Sequence, residues 1–256
     1  MEDQGSLEPN DSFVIYTCVF GSYSGLPDVS VVPQSVRCIV FTDNQDLISS
    51  RWEVRVISSV GKSAIVQSRH PKILPHLYLS DFKFSLYIDA NITLLADPVT
   101  YLHSQICTAS MWFLPHPTRD CIYDEALECR VLERVNDKAV GVEIKRYIDA
   151  RVPRNIGLTE NNFILREHNS PAVAQLMEEW WSLFEAGAGR DQLSLPVAIW
   201  KSGQPPSIFE ASVRAGSNPL FFVRKHDRDI ERSLTDLLAK KIKITARRLF
   251  LRGQYP

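Results

Sequence analysis

The stretch SLYIDANITL, residues 85–94, decides how the fold and its site are interpreted. An apolar, strand-like run ends at Ile88, Asp89 and Asn91 then flank one alanine, and a second apolar run begins at Ile92. A turn is one explanation, because Asp and Asn side chains bond their own backbone. The alternative is a functional site, because a carboxylate and an amide at the end of a buried strand can hold a metal that binds phosphates.

Three segments upstream predict the rest of a central sheet. FVIYTCVF (13–20) and RCIVFTD (37–43) are apolar runs, and WEVRVI (52–57) alternates between apolar and charged residues in the manner of a third strand. Runs this apolar are typical of strands covered on both faces, which favours a mostly parallel α/β sheet. Because helical patterns alternate with these strands, the sequence predicts a Rossmann-like α/β fold.

Further elements are predicted downstream of the first strands. A helix over 63–79 should be interrupted at Pro71 and Pro75, because proline disrupts a helix interior. A helix over 170–184 has Ser170 as its N-cap and Pro171 at its first position. The other predicted helices cover 97–108, 121–134 and 137–149, and the other strands cover 161–166 and 220–223.

The composition limits the class of protein. The 256 residues carry a net charge of −1, which argues against nucleic acid as a partner. Five cysteines without a C-x-x-C pair indicate core thiols in a reducing compartment. No apolar run is long enough to span a membrane, and the acidic segment 1–12 resembles neither a secretory signal nor a transit peptide. We therefore expect a cytoplasmic location.

Polar residues stand at the strand ends where α/β proteins bind ligands. Gly21 would let the backbone approach a ligand closely, Tyr23 could stack on a base, and Asp43 could accept a hydrogen bond from a base or ribose. The chain has neither a G-x-G-x-x-G after the first strand nor a P-loop motif. A nucleotide would therefore be held by side chains and by a metal on Asp89 and Asn91.

Three basic residues precede the strand that ends at Asp89. Arg69, Lys72 and His76 are spaced i, i+3 and i+7, so they are expected to share one face of the predicted helix. Such a face could bind a diphosphate and stabilise it as a leaving group. A solvated basic stripe is the alternative.

Seven segments together resemble a known family. In order they are YTCVFGSYSGL, CIVFTD, SRHPKILPHLYL, SLYIDANITL, HPTRDCIYDEALEC, GLTENNFILREHN and RDQLSLPVAIWK. They resemble the hexosyltransferase-like family of plant mucilage proteins and bacterial glycosyltransferases, from about Phe13 to Lys201. The resemblance implies a GT-A fold with a mixed central sheet flanked by helices, and a nucleotide-sugar-dependent glycosyltransferase that uses Mn²⁺ or Mg²⁺.

The same resemblance implies a metal site. Asp89-Ala90-Asn91 corresponds to the D-x-D motif of GT-A enzymes, although Asn91 removes one ligand charge. His226 stands where many GT-A enzymes have a late histidine ligand. A surface histidine in a charged segment is the alternative for His226.

Roles in catalysis are implied for a second motif. Arg190, Asp191 and Gln192 resemble the segment that GT-A enzymes place beneath the donor sugar. Asp191 would then deprotonate the acceptor hydroxyl or bind the transferred hexose, and Glu160 is the competing general base. Capping of the next helix is a sufficient alternative reason for Asp191.

Acceptor contacts are predicted in two places. His116 and Arg119, with the acidic Asp124 and Glu125 nearby, would contact the sugar or the acceptor, although acidic residues in a first helical turn are often only dipole partners. Trp180 and Trp181 are adjacent and should point to different faces, so that one lies in the core and Trp181 offers a platform for a sugar.

The tail differs in composition from the rest of the chain. Residues 237–256 hold six Lys and Arg residues and no acidic residue, which suits either an anionic membrane surface or packing on the domain. We divide the chain into a flexible segment (1–12), a GT-A catalytic domain (13–225) and a basic tail (226–256).

The resulting hypothesis is a glycosyltransferase that moves a hexose or uronic acid, from a UDP-linked donor, to a glycan or lipid-linked glycan. The pathway would be surface polysaccharide or lipopolysaccharide synthesis, with the tail at the inner membrane face. Two alternatives remain: a non-catalytic domain that binds nucleotide sugars or glycans, and a metal-dependent hydrolase.

Overall fold

The computed structural model describes residues 12–23, 25–58, 63–210, 218–224 and 234–251. The strands are β1 (Phe13–Val19), β2 (Arg37–Thr42), β3 (Glu53–Val56), β4 (Phe84–Ile88), β5 (Ile92–Leu94), β6 (Met111–Pro115), β7 (Thr159–Arg166), β8 (Ser207–Ile208) and β9 (Phe221–Val223). The helices are α1 (Ala64–Ile73), α2 (Pro98–Tyr101), α3 (His103–Thr108), α4 (Ile122–Val131), α5 (Asp137–Asp149), α6 (Pro171–Ala186), α7 (Asp191–Ser202) and α8 (Leu234–Leu251).

The main sheet is mixed, as the sequence resemblance implied. Its strand order is β3-β2-β1-β4-β7-β6-β8, and the separate strands β5 and β9 pair antiparallel. Strands β1 to β4 are parallel, whereas β7 runs antiparallel to both β4 and β6. The prediction of a mostly parallel sheet therefore holds only for the first half. The carboxyl ends of β1, β2, β4 and β6 and the start of β7 lie at the same end of the strands, which we call the carboxyl edge of the sheet.

Alternating residues of the central strands fill two cores. Ile15 and Leu86 belong to the core on one face, and Tyr16 and Tyr87 to the core on the other. The second core also contains residues of α1, α6 and α7, which cover that face. Because both faces are covered, the strands read as continuous apolar runs in the sequence.

Helix α1 begins as predicted but ends early. Ser63 accepts a hydrogen bond from the backbone N–H of Val66 at 3.4 Å, and the helix runs through Pro71, where we had predicted an interruption. It ends at Ile73 because the residue before Pro75 is disfavoured in the helical conformation. Residues Pro75–Leu77 form a separate 3₁₀ turn.

The described part of α8 packs on the domain through ion pairs. Lys243 and Arg247 contact Glu133, at 2.7 and 3.1 Å, and the side chain of Leu251 is buried. This favours the packed alternative for this part of the tail. No helix within the described residues is both long and apolar enough to cross a membrane.

His168, just after β7, gives the protein a predicted pH dependence. Its Nε2 donates to the carbonyl oxygen of Leu79 at 2.8 Å, and burial lowers the pKa of His168 from 6.5 to about 4. Between these values the unfolded chain binds a proton that the folded protein excludes, so stability falls as pH falls. We expect a loss of about 2 kcal/mol between pH 7 and pH 5.

Urea unfolding at both pH values measures this loss. His168→Gln keeps a donor for Leu79 and should abolish most of the difference between the two pH values. His103→Gln, which changes an exposed histidine, should preserve it. An unchanged pH dependence in His168→Gln would contradict the assignment.

Candidate functional site

The end of β1 and the end of β2 meet at the carboxyl edge of the sheet. The backbone N–H of Gly21 donates to both carboxylate oxygens of Asp43, at 2.9 and 3.1 Å. Gly21 has a φ of +69°, and a Cβ there would lie 3.0 Å from the Cβ of Ala64. Glycine is needed here by conformation and by space. The nearby Tyr23 side chain is exposed.

Asp89 lies at the neighbouring strand end, with a partly exposed carboxylate. The hydroxyl of Tyr87 donates to its Oδ1 at 2.6 Å, and the Nζ of Lys72 lies 3.7 Å from the same oxygen. The side chain of Asp89 is 36% exposed, so a ligand can reach it from solvent.

A buried ion-pair cluster joins α1 to the start of α7. Lys72 Nζ lies 2.8 Å from Asp191 Oδ2, and Arg69 Nε lies 3.3 Å from the same oxygen. Burial alone would raise the pKa of Asp191, but the charges of Lys72, Arg69 and Arg190 hold that pKa well below its usual range. Asp191 is therefore a permanent anion that orders cations from two helices.

The side chain of Arg166 holds the backbone of Lys72 in place through a hydrogen bond. The sequence interpretation did not single out Arg166. Arg166 Nη2 donates to the carbonyl oxygen of Lys72 at 2.8 Å, and the Tyr16 hydroxyl donates to it at 3.1 Å. Arg166 is fully buried, and within the described part of the chain its partners are neutral: this carbonyl, Tyr16 and the sulfur of Met177. The sequence offered one signal of its role, a charged residue directly after the apolar residues of β7.

A second polar cluster follows β6. The carboxylate of Glu125 is fully buried and lies 2.6 Å from Arg119 Nη2 and 3.9 Å from Arg190 Nη2. His116 Nε2 lies 3.2 Å from Arg119 Nη2. Glu125 is thus the anchor of this cluster, and Arg119 and Arg190 each keep about a quarter of their side chain exposed (24% and 23%).

Two further residues that were predicted to act in catalysis, Gln192 and Glu160, also lie at the carboxyl edge of the sheet. Gln192 accepts a hydrogen bond from Arg190 through its Oε1. Glu160 is mostly buried and pairs along the sheet with Leu114 at the end of β6.

His76 does not lie on a helix face with Arg69 and Lys72. It stands in the 3₁₀ turn after α1, and its Nε2 lies 3.0 Å from Glu178 Oε1 of α6. The break before Pro75 explains this error, because it removes the helical spacing on which the prediction depended.

Trp181 is not an open sugar platform. Its ring packs on His70 and Phe184, with centroid distances of 4.7 and 5.5 Å, and Trp180 is buried beside it. Adjacent helical residues are 100° apart, and the buried stripe of α6 is wide enough to include both rings. The prediction that one of the two rings lies in the core is confirmed, and the prediction that Trp181 offers a platform for a sugar was wrong.

The residues suit a metal that the substrate helps to hold. Asp89 offers a partly exposed carboxylate, while the Asn91 amide nitrogen donates to the carbonyl oxygen of Arg224 at 3.2 Å. Within the described residues, no group of three His, Cys, Asp or Glu side chains could hold a metal alone. Mg²⁺ commonly takes one or two protein oxygens and completes its shell with phosphates and water, which this pair fits. His226 lies outside the described residues.

Positive charge exceeds negative charge around the contact between α1 and α7. The cations are Arg69, Lys72, Arg119, Arg166 and Arg190, and the carboxylates are Asp89, Glu125 and Asp191. The difference of two charges remains inside a largely desolvated region, where electrostatic interactions are strong. The cluster is therefore suited to an anion such as a diphosphate.

Comparison with known protein families finds a match over most of the chain. Residues 40–213 match the family model described as TOD1/MUCI70, glycosyltransferase-like domain. This span contains Asp43, Arg69, Lys72, Asp89 and Asp191. None of the curated proteins is similar enough to count as a match.

Proposed function

Because the chain belongs to the TOD1/MUCI70 glycosyltransferase-like domain family, we propose that it transfers a hexose or a uronic acid from a UDP-linked sugar to a glycan acceptor. The family itself supports a glycosyltransferase-type activity, with a sugar donor and a glycan acceptor in general. The UDP donor, a divalent cation and a role in surface polysaccharide or lipopolysaccharide synthesis are the further parts of the proposal.

One observation carries the proposal: a partly exposed Asp89 belongs to a mostly buried group of charges in which cations outnumber carboxylates by two. A nucleoside diphosphate would supply the missing negative charge. Arg69, which is 26% exposed, would contact it directly, whereas Lys72 is only 2% exposed and would act by holding Asp89 and Asp191 in place. Gly21, Tyr23 and Asp43 would bind the nucleoside next to it.

We propose that Glu160 accepts the proton of the acceptor hydroxyl. A carboxylate stabilised as an anion by Lys72, Arg69 and Arg190 is a weak base, so Asp191 is poorly suited to take a proton from an acceptor hydroxyl. Asp191 instead fixes the cations beneath the donor. Asp89 and Asn91 would hold Mn²⁺ or Mg²⁺, which neutralises charge on the departing diphosphate.

We propose that the acceptor binds beside Arg119 and Arg190, which are 24% and 23% exposed. The side chain of His116 is only 2% exposed, so it would hold Arg119 in place instead of contacting the acceptor. We further propose a cytoplasmic enzyme that works on a free or lipid-linked glycan at the inner membrane face.

Thermal unfolding with UDP and a panel of UDP-sugars, each with and without Mn²⁺, tests this proposal. A ligand present at 100 times its Kd stabilises the native state by about 2.7 kcal/mol. We expect one UDP-sugar to raise the Tm only when Mn²⁺ is present. A flat panel would contradict the proposed donor.

A non-catalytic binding domain is the second candidate, because Asn91 replaces the second acidic residue of the metal motif and its amide donates to the carbonyl oxygen of Arg224. It predicts Mn²⁺-dependent binding of the UDP-sugar without release of UDP in the presence of acceptor glycans. Release of UDP would exclude it.

A further inference from the structure

The pairing of β6 and β7 is interrupted next to the site. Phe113 pairs with Ile164, and the following residue, Leu114, pairs with Glu160. Residues 161–163 of β7 therefore have no counterparts in β6. Such bulges are frequent beside active sites, where they turn side chains away from the regular pattern of the sheet.

Two adjacent asparagines occupy this bulge. The carbonyl oxygen of Asn162 accepts a hydrogen bond from the backbone N–H of Asp89 at 2.8 Å. The hydroxyl of Thr159 donates to Oδ1 of Asn161 at 2.8 Å, and Asn161 is 3% exposed. The bulge thus joins the backbone of Asn162 directly to the residue that is proposed to bind the metal.

Each amide leaves one polar atom without a partner. Asn161 Nδ2 and Asn162 Oδ1 are shielded from solvent and make no hydrogen bond within the described residues. Turning either amide around exchanges its nitrogen and oxygen, but Thr159 can then satisfy at most one end of Asn161. Buried polar groups without partners are costly, so their persistence requires an explanation.

We infer that Asn161 and Asn162 bind the hydroxyl groups of the transferred sugar ring and thereby help to select the donor. The inference rests on the proposed function. Asn161 offers a donor and Asn162 an acceptor, and a sugar hydroxyl can bond to either kind of group, because it both donates and accepts. A phosphate would offer acceptors only, and a metal ion would require oxygen ligands only.

The position of the bulge indicates that the asparagines bind the sugar of the donor and not its nucleoside. Gly21 and Asp43 lie at the ends of β1 and β2, whereas Asn162 is bonded to Asp89 at the end of β4. Helix α7, which begins at Asp191, packs against β7. A sugar attached to a diphosphate at Asp89 would therefore extend toward the bulge and α7.

The test compares the affinities for UDP and for UDP-sugars, measured by calorimetry with Mn²⁺ on the full chain. The probes are UDP, UDP-glucose, UDP-galactose and UDP-glucuronate, and the variants are Asn161→Ala and Asn162→Ala. Loss of one hydrogen bond should weaken the preferred UDP-sugar roughly five- to tenfold. The affinity for UDP alone should not change, because UDP has no sugar in the bulge.

Thr159→Val is the matched control, since it removes the hydrogen bond to Asn161 but keeps the amide. It should preserve the preference for UDP-sugar over UDP. Equal weakening of UDP and UDP-sugar in both asparagine variants would overturn the inference, as would no weakening in either. A wild-type protein that binds neither UDP nor any UDP-sugar would refute the proposed function itself. If Asn161→Ala does not fold, the affinities of Asn162→Ala still test the inference, because Asn162 is only half-buried.

Discussion

Asp191→Asn should lower the stability of the protein by about 3–5 kcal/mol, the usual cost of removing one partner from a buried ion pair. The substitution keeps the size of the side chain but leaves Lys72, which is 2% exposed, without its 2.8 Å counterion. It also releases Arg69. For a chain of this size we expect the Tm to fall by roughly 10 °C. Calorimetry or circular dichroism measures the change.

Two further variants separate this charge effect from other causes. Asp81→Asn changes an exposed aspartate and should leave the Tm unaltered. The double variant Lys72→Met with Asp191→Asn removes both charges, so it should recover part of the loss in a double-mutant cycle. A single variant as stable as the wild type would show that Asp191 and Lys72 do not form the pair described here.

Asp89→Ala should abolish Mn²⁺-dependent binding of the donor and lower the transfer rate by about 10²–10³-fold. The expected loss follows from its position, because Asp89 is the one carboxylate of the proposed metal-binding pair and is 36% exposed. The fold should persist, since the side chain is 36% exposed and gives up mainly the hydrogen bond from Tyr87. Thermal unfolding with UDP-sugar, with and without Mn²⁺, measures the binding.

Tyr87→Phe is the matched variant for Asp89. It removes the same hydrogen bond while keeping the carboxylate, so it should retain most Mn²⁺-dependent binding. If Asp89→Ala binds donor and Mn²⁺ as the wild type does, the metal assignment is wrong.

Much of the sheet was predictable because the central strands β1, β2 and β4 are nearly continuous apolar runs. The runs that end at Thr42 and Ile88 appear in the structure within one or two residues of the predicted bounds. The direction of β7 was not predictable, because a buried strand has the same pattern whether it runs parallel or antiparallel. That direction brings Glu160 to the site edge.

Site residues were predictable only where a polar residue directly follows an apolar strand in the sequence. Asp89 follows a strand and is visible in the sequence, but its neighbour Lys72 pairs with Asp191, which is 119 residues away. No spacing rule connects positions so far apart. Arg166 and Asn161 were missed for the same reason, since their contacts arise from packing between strands and helices.

The surplus of positive charge around α1 and α7 also bears on how a reaction cycle would end. Transfer of the sugar leaves the nucleoside diphosphate with its full negative charge, so the groups that captured the donor would hold the product equally well. Product release would then be slow, and inhibitors that mimic the diphosphate would compete without any sugar attached. The same buried cations that would bind the diphosphate of the donor would then also limit the turnover rate.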